Sequence, residues 1–315
     1  MKIEEMNGLI LLDKSAGMTS FGADSAIKKI LSTKKVGHIG TLDPFATGLL
    51  PICIGKGLRF VRFADSYDKA YRCCCVFGRS TDTMDLEGEV VGGRLPSAEE
   101  LDQMRKDDFA MIRKVFSEIA LKTAQIPPKY SAKKINGRKA YELAREGIEI
   151  ELKEVPIKIH KLEIKDISIN DGMIEAVFEV YCSKGTYIRE LCNDVGEKTG
   201  FGAYAKSLRR IRNGPFDEAS AISLDEIRQL SEKGDLSFIR DASLILSGMP
   251  ELKLSSSQAA DIKQGKKIPA GDLSDDLILP RGQFYKAVFE NEIIAVVYET
   301  EEKGRILLRI ERMLA

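Results

Sequence analysis

Between Val36 and Phe60 the chain reads VGHIGTLDPFATGLLPICIGKGLRF, with five glycines and two prolines around one histidine and one aspartate. Few backbone conformations accept such a run. Gly37 and Gly40 bracket His38, so the chain there can take positive φ angles or approach a ligand closely. Pro44 biases Asp43 away from the α region and holds it extended or in a turn. The residues that follow (Phe45, Ala46, Gly48, Leu49, Leu50) are small or apolar, as expected of a segment packed beneath a loop. A carboxylate on backbone stiffened in this way reads as a positioned carboxylate. The plainer reading is an Asx-turn, in which Asp43 only caps the local backbone. Residue types alone leave both open.

At 315 residues the chain suits one large domain plus a small one. Hydrophobic residues at 43% and charged residues at 30% are ordinary for a protein that buries a core. No apolar run approaches the roughly 20 residues needed to cross a bilayer, and Leu9 to Leu12 is too short for a signal peptide. The expectation is a cytoplasmic protein without a membrane partner. The six cysteines include the consecutive Cys73, Cys74 and Cys75 but no CxxC pair. On a strand those three alternate between faces, so they read as small buried residues and not as metal ligands. Lys and Arg balance Asp and Glu at 48 each, but unevenly along the chain. Residues 1–80 hold twelve basic against seven acidic residues, and residues 216–315 hold thirteen against eighteen. Two further basic clusters, Lys122 to Arg145 and Lys206, Arg209, Arg210 and Arg212, could offer a polyanion a basic face.

Read in order, Gly8–Asp13 is a short buried strand, and Thr19 or Ser20 caps a helix to about Leu31. The run from Val36 to Phe60 reads as a loop. Lys69 to Phe77 is strand-like, residues 81–89 are a polar connection, and helices are expected at Ala98–Arg105 and Phe109–Ile119. Breakers and basic residues from Gln125 onward indicate an exposed loop, with a helix resuming at Ala140–Arg145. Alternating residues at 155–164 and Ile174–Cys182 read as antiparallel strands. Gly185 turns the chain into a helix ending before Gly200, followed by a short arginine-rich strand at Gly202–Ile211. Ser223 and Glu226 have capping-box spacing. Beyond Leu252 a capped helix at Ser255–Gly265 precedes strands at Leu277–Leu279, Phe284–Glu290, Ile293–Glu299 and Ile306–Glu311.

The run from Gly37 to Pro51 matches every fixed position of GHxGxLDPxATGxLP, the motif of the bacterial tRNA pseudouridine synthase B family, the tRNA pseudouridine-55 synthases. Lys69-Ala-Tyr71, Gln125-Ile-Pro127, Tyr130-Ser131-Ala132 and Cys182 to Arg189 resemble the family's later motifs in the same order. The resemblance covers roughly residues 7–215. It implies an α+β fold: a pseudouridine synthase domain over 1–248 with a mixed, mainly antiparallel sheet flanked by helices. It also implies an RNA-contacting insertion at about 122–150 and a small PUA-like β-barrel over 249–315. The implied activity isomerises uridine to pseudouridine in the T-arm stem-loop of tRNA, with no cofactor, no metal and no obligate protein partner, by a monomer.

By the same resemblance Asp43 is the catalytic aspartate, an ordinary carboxylate charged at neutral pH. Arg189 is its partner, since a planar guanidinium can hold a carboxylate bidentately and keep it ionised. Tyr71 stacks on the flipped base and takes the C5 proton. Tyr187 and Leu208 line the uracil pocket, and His38 helps displace the target base. Ile39 and Thr41 depart from the family, where threonine and alanine are frequent, without removing a reactive group. Read without the family, Arg189 is a surface helix arginine, Tyr71 a half-buried strand residue, and Tyr187 and Leu208 core packing. Three rivals remain: a guide-dependent pseudouridine synthase component, a non-catalytic RNA-binding or tRNA-folding protein, and a carboxylate-pair glycosidase. The last lacks a convincing second acid near the motif.

Overall fold

An almost uninterrupted apolar run makes strand β1, Gly8–Lys14, buried along nearly its whole length. A strand covered on both faces needs no polar alternation. β1 pairs antiparallel with β3, Thr47–Ile54, which in turn carries the short β2, Val36–His38. The computed structural model describes residues 6–131, 133–135, 137–140, 143, 146, 148, 151–269, 280, 282–302 and 304–314. Among these the chain divides into two compact units, Met1–Ala242 and Ser243–Ala315.

The first unit is built on a nine-stranded mixed sheet. Its other members are β4 (Lys69–Phe77), β5 (Ile159–Asn170), β6 (Met173–Cys182), β7 (Ala203–Asn213), β8 (Phe216–Asp217) and β9 (Ile222–Ser223). The order is β5-β6-β4-β7-β3-β1-β9, with β8 on β7 and β2 on β3. Only β7 with β3 and β1 with β9 run parallel; the remaining pairs are antiparallel. This is the expected mixed, mainly antiparallel α+β sheet.

Helix α1, Ser20–Ile30, starts where the Thr19 side chain accepts from the Gly22 N–H. α2 (Ala98–Lys106) has a full capping box at Ser97 and Glu100, and α3 is Ala110–Ile119. α4, Ile188–Thr199, buries Ile188, Leu191, Cys192 and Val195 on one face and stops at Gly200, where φ is 75°. Gly is favoured there because the left-handed C-cap carries no Cβ penalty. α5, Leu224–Glu232, has the capping box expected of Ser223 and Glu226. Cys73 and Cys75 face the core while Cys74 lies on the opposite, half-exposed face, as strand alternation requires.

In the second unit, α6 (Ser256–Lys263) accompanies a curled five-stranded sheet. Its strands are β10 (Glu251–Lys253), β11 (Ile268–Pro269), β12 (Phe284–Phe289), β13 (Glu292–Glu302) and β14 (Arg305–Met313), in the order β10-β12-β13-β14-β11. Leu252, Ile262, Val297 and Leu308 are among its core residues. The form is that of a PUA-like half-barrel.

Two readings need revision. Val36–Phe60 is not a loop: β2 and β3 form a hairpin, and the irregular part is the turn 39–46, followed by a 3₁₀ segment at Gly55–Ala64. Glycines and prolines masked the strand signal. The arginine-rich strand after Gly202 is longer than expected because it bridges β4 and β3 along Ala203–Asn213. The expected strand at Leu277–Leu279 lies outside the described residues, as do most positions of the expected helix at Ala140–Arg145.

Gly48 fixes how closely β3 and β7 approach. Its φ is +97°, and an added Cβ would lie 2.4 Å from the Arg210 carbonyl oxygen. Gly48→Ala therefore combines backbone strain with a backbone clash, and should cost about 3 kcal/mol or more. Urea unfolding followed by circular dichroism measures this; a midpoint like that of the wild type would contradict it.

Candidate active site

The turn 39–46 is held by the end of β1, the segment after it and the first residue of α1. The Ser20 hydroxyl accepts from the Leu42 N–H at 2.9 Å and donates to the Leu42 carbonyl at 3.0 Å. Lys14 Nζ donates to the carbonyls of Ser15, Met18 and Pro44 at 2.9, 2.7 and 3.2 Å. The Gly17 N–H also reaches Pro44, at 2.9 Å. Both neighbours of Asp43 are thus tied down, while Phe45 and Ala46 are buried in the core. Burial draws the Lys14 ammonium down to about 8, and the Asp43 carboxylate opposes that fall.

Asp43 projects toward α4, where Arg189 Nε lies 2.9 Å from its Oδ2. Arg189 is 3% exposed, and it donates to three further acceptors. Nη1 reaches the Thr83 carbonyl at 2.6 Å and Asp85 Oδ2 at 3.2 Å, and Nη2 reaches the Tyr130 carbonyl at 2.8 Å. Desolvation raises the Asp43 carboxyl above its usual range; Arg189 counters it and the nearby Asp85 adds to it. Asp43 is therefore not the unperturbed carboxylate expected from sequence, and the guanidinium is what favours its ionised form. About 35% of its side-chain surface stays open.

That open surface faces two cavities. One, of about 220 Å³, is lined by Asp43, Tyr71, Tyr187, Arg189 and Leu208, together with Lys69, Arg210 and residues of the 183–188 turn. The other, of about 590 Å³, contains His38, Phe21, Glu87 and Ser131, and shares Asp43 and Arg189 with the first. His38 therefore shares a cavity with Asp43 and Arg189 but not with Tyr71, Tyr187 and Leu208. Its Nδ1 is 2.8 Å from Asp24 Oδ2 and its Nε2 is 3.2 Å from Thr41 Oγ1.

Tyr71 leaves β4 opposite Arg210 of β7. Burial pushes its phenol upward against the pull of Arg210. Arg210, fully buried, donates Nε to Leu49 O at 2.7 Å and Nη2 to Gly40 O at 3.0 Å. Its own pKa is lowered by burial. Tyr187 caps α4, and Gln125 grips its backbone: Tyr187 N donates to Oε1 at 2.8 Å, and Nε2 donates to Tyr187 O at 3.0 Å. The Gln125-Ile-Pro127 motif thus sets the start of the helix that carries Arg189.

Sequence reasoning missed Lys14, Asp85, Lys69 and Arg210 as site residues. Asp85 carries no local mark that separates it from Asp82 in the same polar connection. Of the basic cluster on β7, only Arg212 is exposed without an ion pair among the described residues. Arg209 pairs with Asp13 at 2.9 Å and Glu218 at 2.5 Å, Lys206 pairs with Glu175 at 2.7 Å, and Arg210 is buried. Lys122 and Arg138 are likewise paired, with Asp194 and Glu146. The cations Lys29, Lys34, Lys35, Lys56 and Arg59 are instead exposed, with no ion pair among the described residues.

Together the mixed sheet and this pocket define an enzyme of the pseudouridine synthase class. The TruB family pseudouridylate synthase N-terminal domain matches residues 28–188, and the tRNA pseudouridylate synthase B C-terminal domain matches 189–243. The chain belongs to the TruB family. It is 38% identical to tRNA pseudouridine synthase B of Streptococcus sanguinis over 298 residues, covering 94% of this chain and 97% of that one. It is 40% identical to the protein of the same name from Aquifex aeolicus over 263 residues, covering 84% and 87%. Among solved structures, one from a Cbf5-Nop10-Gar1 complex superposes with a TM-score of 0.69 at 25% identity, covering 97% of this chain and 84% of that one.

Lysine cannot reproduce the four contacts of Arg189. Arg189→Lys should leave Asp43 and Asp85 incompletely neutralised in a buried setting and lower stability by about 3–5 kcal/mol. Denaturant midpoints of the two proteins measure it, and equal midpoints would show that the clamp is not structural.

Proposed function

We propose that this chain converts uridine to pseudouridine at position 55 in the TΨC loop of tRNA, acting on a uridine turned out of its loop. Pseudouridine formation breaks the N-glycosidic bond, turns the base and rejoins it to the ribose through carbon. No electrons are exchanged. What carries the reading is the placement of Asp43 at the wall shared by a base-sized pocket and a larger cavity. The smaller volume falls below the range of roughly 300–1,000 Å³ usual for drug-sized ligands, which suits one pyrimidine.

In this reading Asp43 is the reacting carboxylate and Arg189 keeps it ionised and oriented. Tyr71 and Leu208 flank the base, with the Tyr71 oxygen taking the C5 proton, and Tyr187 closes the pocket. His38, on the far side of the turn, meets the strand from which the uridine has left. Extruding a base costs a few kcal/mol, which favours a loop over a duplex. The exposed lysines between α1 and the 3₁₀ segment would meet the phosphate backbone. The domain roles follow: a catalytic unit with an RNA-contacting insertion at about 122–150, and a PUA-like unit over 249–315 that adds RNA contact. We place the enzyme in the cytoplasm, as a monomer without an obligate protein partner. The likeness to a protein solved within a complex supports a partner-dependent reading less well than the 38–40% identity to tRNA pseudouridine synthase B.

Asp43→Asn should abolish tritium release from C5-labelled uridine in a bare T-arm stem-loop while leaving stem-loop affinity within a few-fold. Unchanged release would remove Asp43 from the mechanism. A wild-type protein that needs further components to act would favour the partner-dependent alternative.

A further inference from the structure

Lys69 opens β4 two residues before Tyr71, so both side chains leave the strand on one face, and both line the Asp43 pocket. The residue is 9% exposed. Its Nζ donates to one acceptor, the Tyr67 carbonyl at 2.6 Å, and among the described residues no carboxylate lies within ion-pair distance. The adjacent Asp68 is engaged elsewhere, 2.9 Å from His160 Nε2 and 3.4 Å from the Tyr181 hydroxyl. Gly40, at φ +72°, packs beside the lysine: a Cβ there would sit at ordinary contact distance, 3.6 Å from Lys69 Cε and 3.4 Å from Arg210 Nη1.

A largely buried ammonium with two unassigned protons facing a pocket is a site for negative charge. The reaction creates such charge. When C1′–N1 breaks, the bonding pair leaves with the uracil and spreads over N1, O2 and O4. Once the base has turned, C5 bonds to C1′ and loses its proton while N1 gains one, so the isomer balances without another reactant. If Asp43 instead adds to C6 of the base, the electron pair of the C5–C6 double bond moves to C5 and O4, so the charge falls on O4. Arg189 has its donors engaged by Asp43, Asp85, Thr83 and Tyr130; Arg210 has Nε and Nη2 engaged by Leu49 and Gly40, while its buried Nη1 has no hydrogen-bond partner among the described residues and is a second donor beside Lys69 in this pocket.

We propose that Lys69 is a catalytic residue whose ammonium donates to a uracil oxygen and stabilises the negative charge on the base while it is detached or activated. This rests on the reading of the pocket as the uridine site. Burial brings Lys69 down to about 8. Arg210 on β7 and Lys184 after β6 act in the same direction, while Cys182 on β6 and Asp68 oppose them. The required cation is thus present at neutral pH and is lost as pH rises through about 8.

The test is single-turnover conversion of a C5-tritiated T-arm stem-loop by the full-length protein, with stem-loop binding measured in parallel. Lys69→Met should slow conversion about a hundredfold or more, with affinity within about threefold. Lys69→Arg should recover at least about tenfold of that loss. Conversion by Lys69→Met within about threefold of wild type would overturn the proposal. So would weakened binding with an unchanged saturating rate, which marks a phosphate anchor. A wild-type protein that makes no pseudouridine would count against the uridine reading itself and not against the lysine.

Discussion

One buried guanidinium joins parts of the chain that are far apart in sequence. Arg189 holds Asp43 from the 39–46 turn, Asp85 and Thr83 from the polar connection after β4, and Tyr130 from the segment beyond α3. Two carboxylates against one cation in a desolvated place is not a stabilising arrangement in itself, since burying ions costs more than a single contact returns. It gains from completeness, because the side chain's nitrogens all meet an acceptor. What the clamp achieves is geometry: a carboxylate that burial pushes toward its neutral form is favoured as the anion and pointed into a pocket.

The rest of the first unit serves that placement. β1 and the segment after it bring Lys14 and Ser20 beneath the turn and fix the backbone on both sides of Asp43. β4 and β7, side by side in the sheet, present Tyr71, Lys69, Leu208 and Arg210 to the same cavity. Gln125 sets the entry of α4 at Tyr187, two residues before the arginine that makes the clamp. The result is a small pocket and a larger cavity on either side of one wall. In the proposed reading the smaller takes the base, and the larger, with His38, takes the strand it came from.

Much of this was legible in the sequence where the signal is local. Capping boxes at Ser223 and Ser255, the alternation of Met173–Cys182 and the apolar run of β1 depend on neighbours within a few residues. The motif residues Asp43, Tyr71, Tyr187, Arg189 and Leu208 line one cavity, which spacing alone does not imply. Long-range pairing was not legible. Lys14 carries no local mark as a site residue and Asp85 is one acid among several, since their meaning lies in partners 30 and 104 residues away. Basic clusters misled for the same reason: the charge of Arg209 and Lys206 is cancelled by acids from other strands and turns. Linear charge density does not report which cations remain for a polyanion.

The most direct measurement is a crystal structure of the Asp43→Asn protein bound to an unmodified T-arm stem-loop. The account predicts the target uracil in the smaller cavity between Tyr71 and Leu208, an oxygen of the ring facing Lys69, and the ribose within about 3.5 Å of the residue-43 side chain, the reach of a reacting group. A uridine still stacked in its loop, or lodged in the larger cavity with the smaller one vacant, would contradict it.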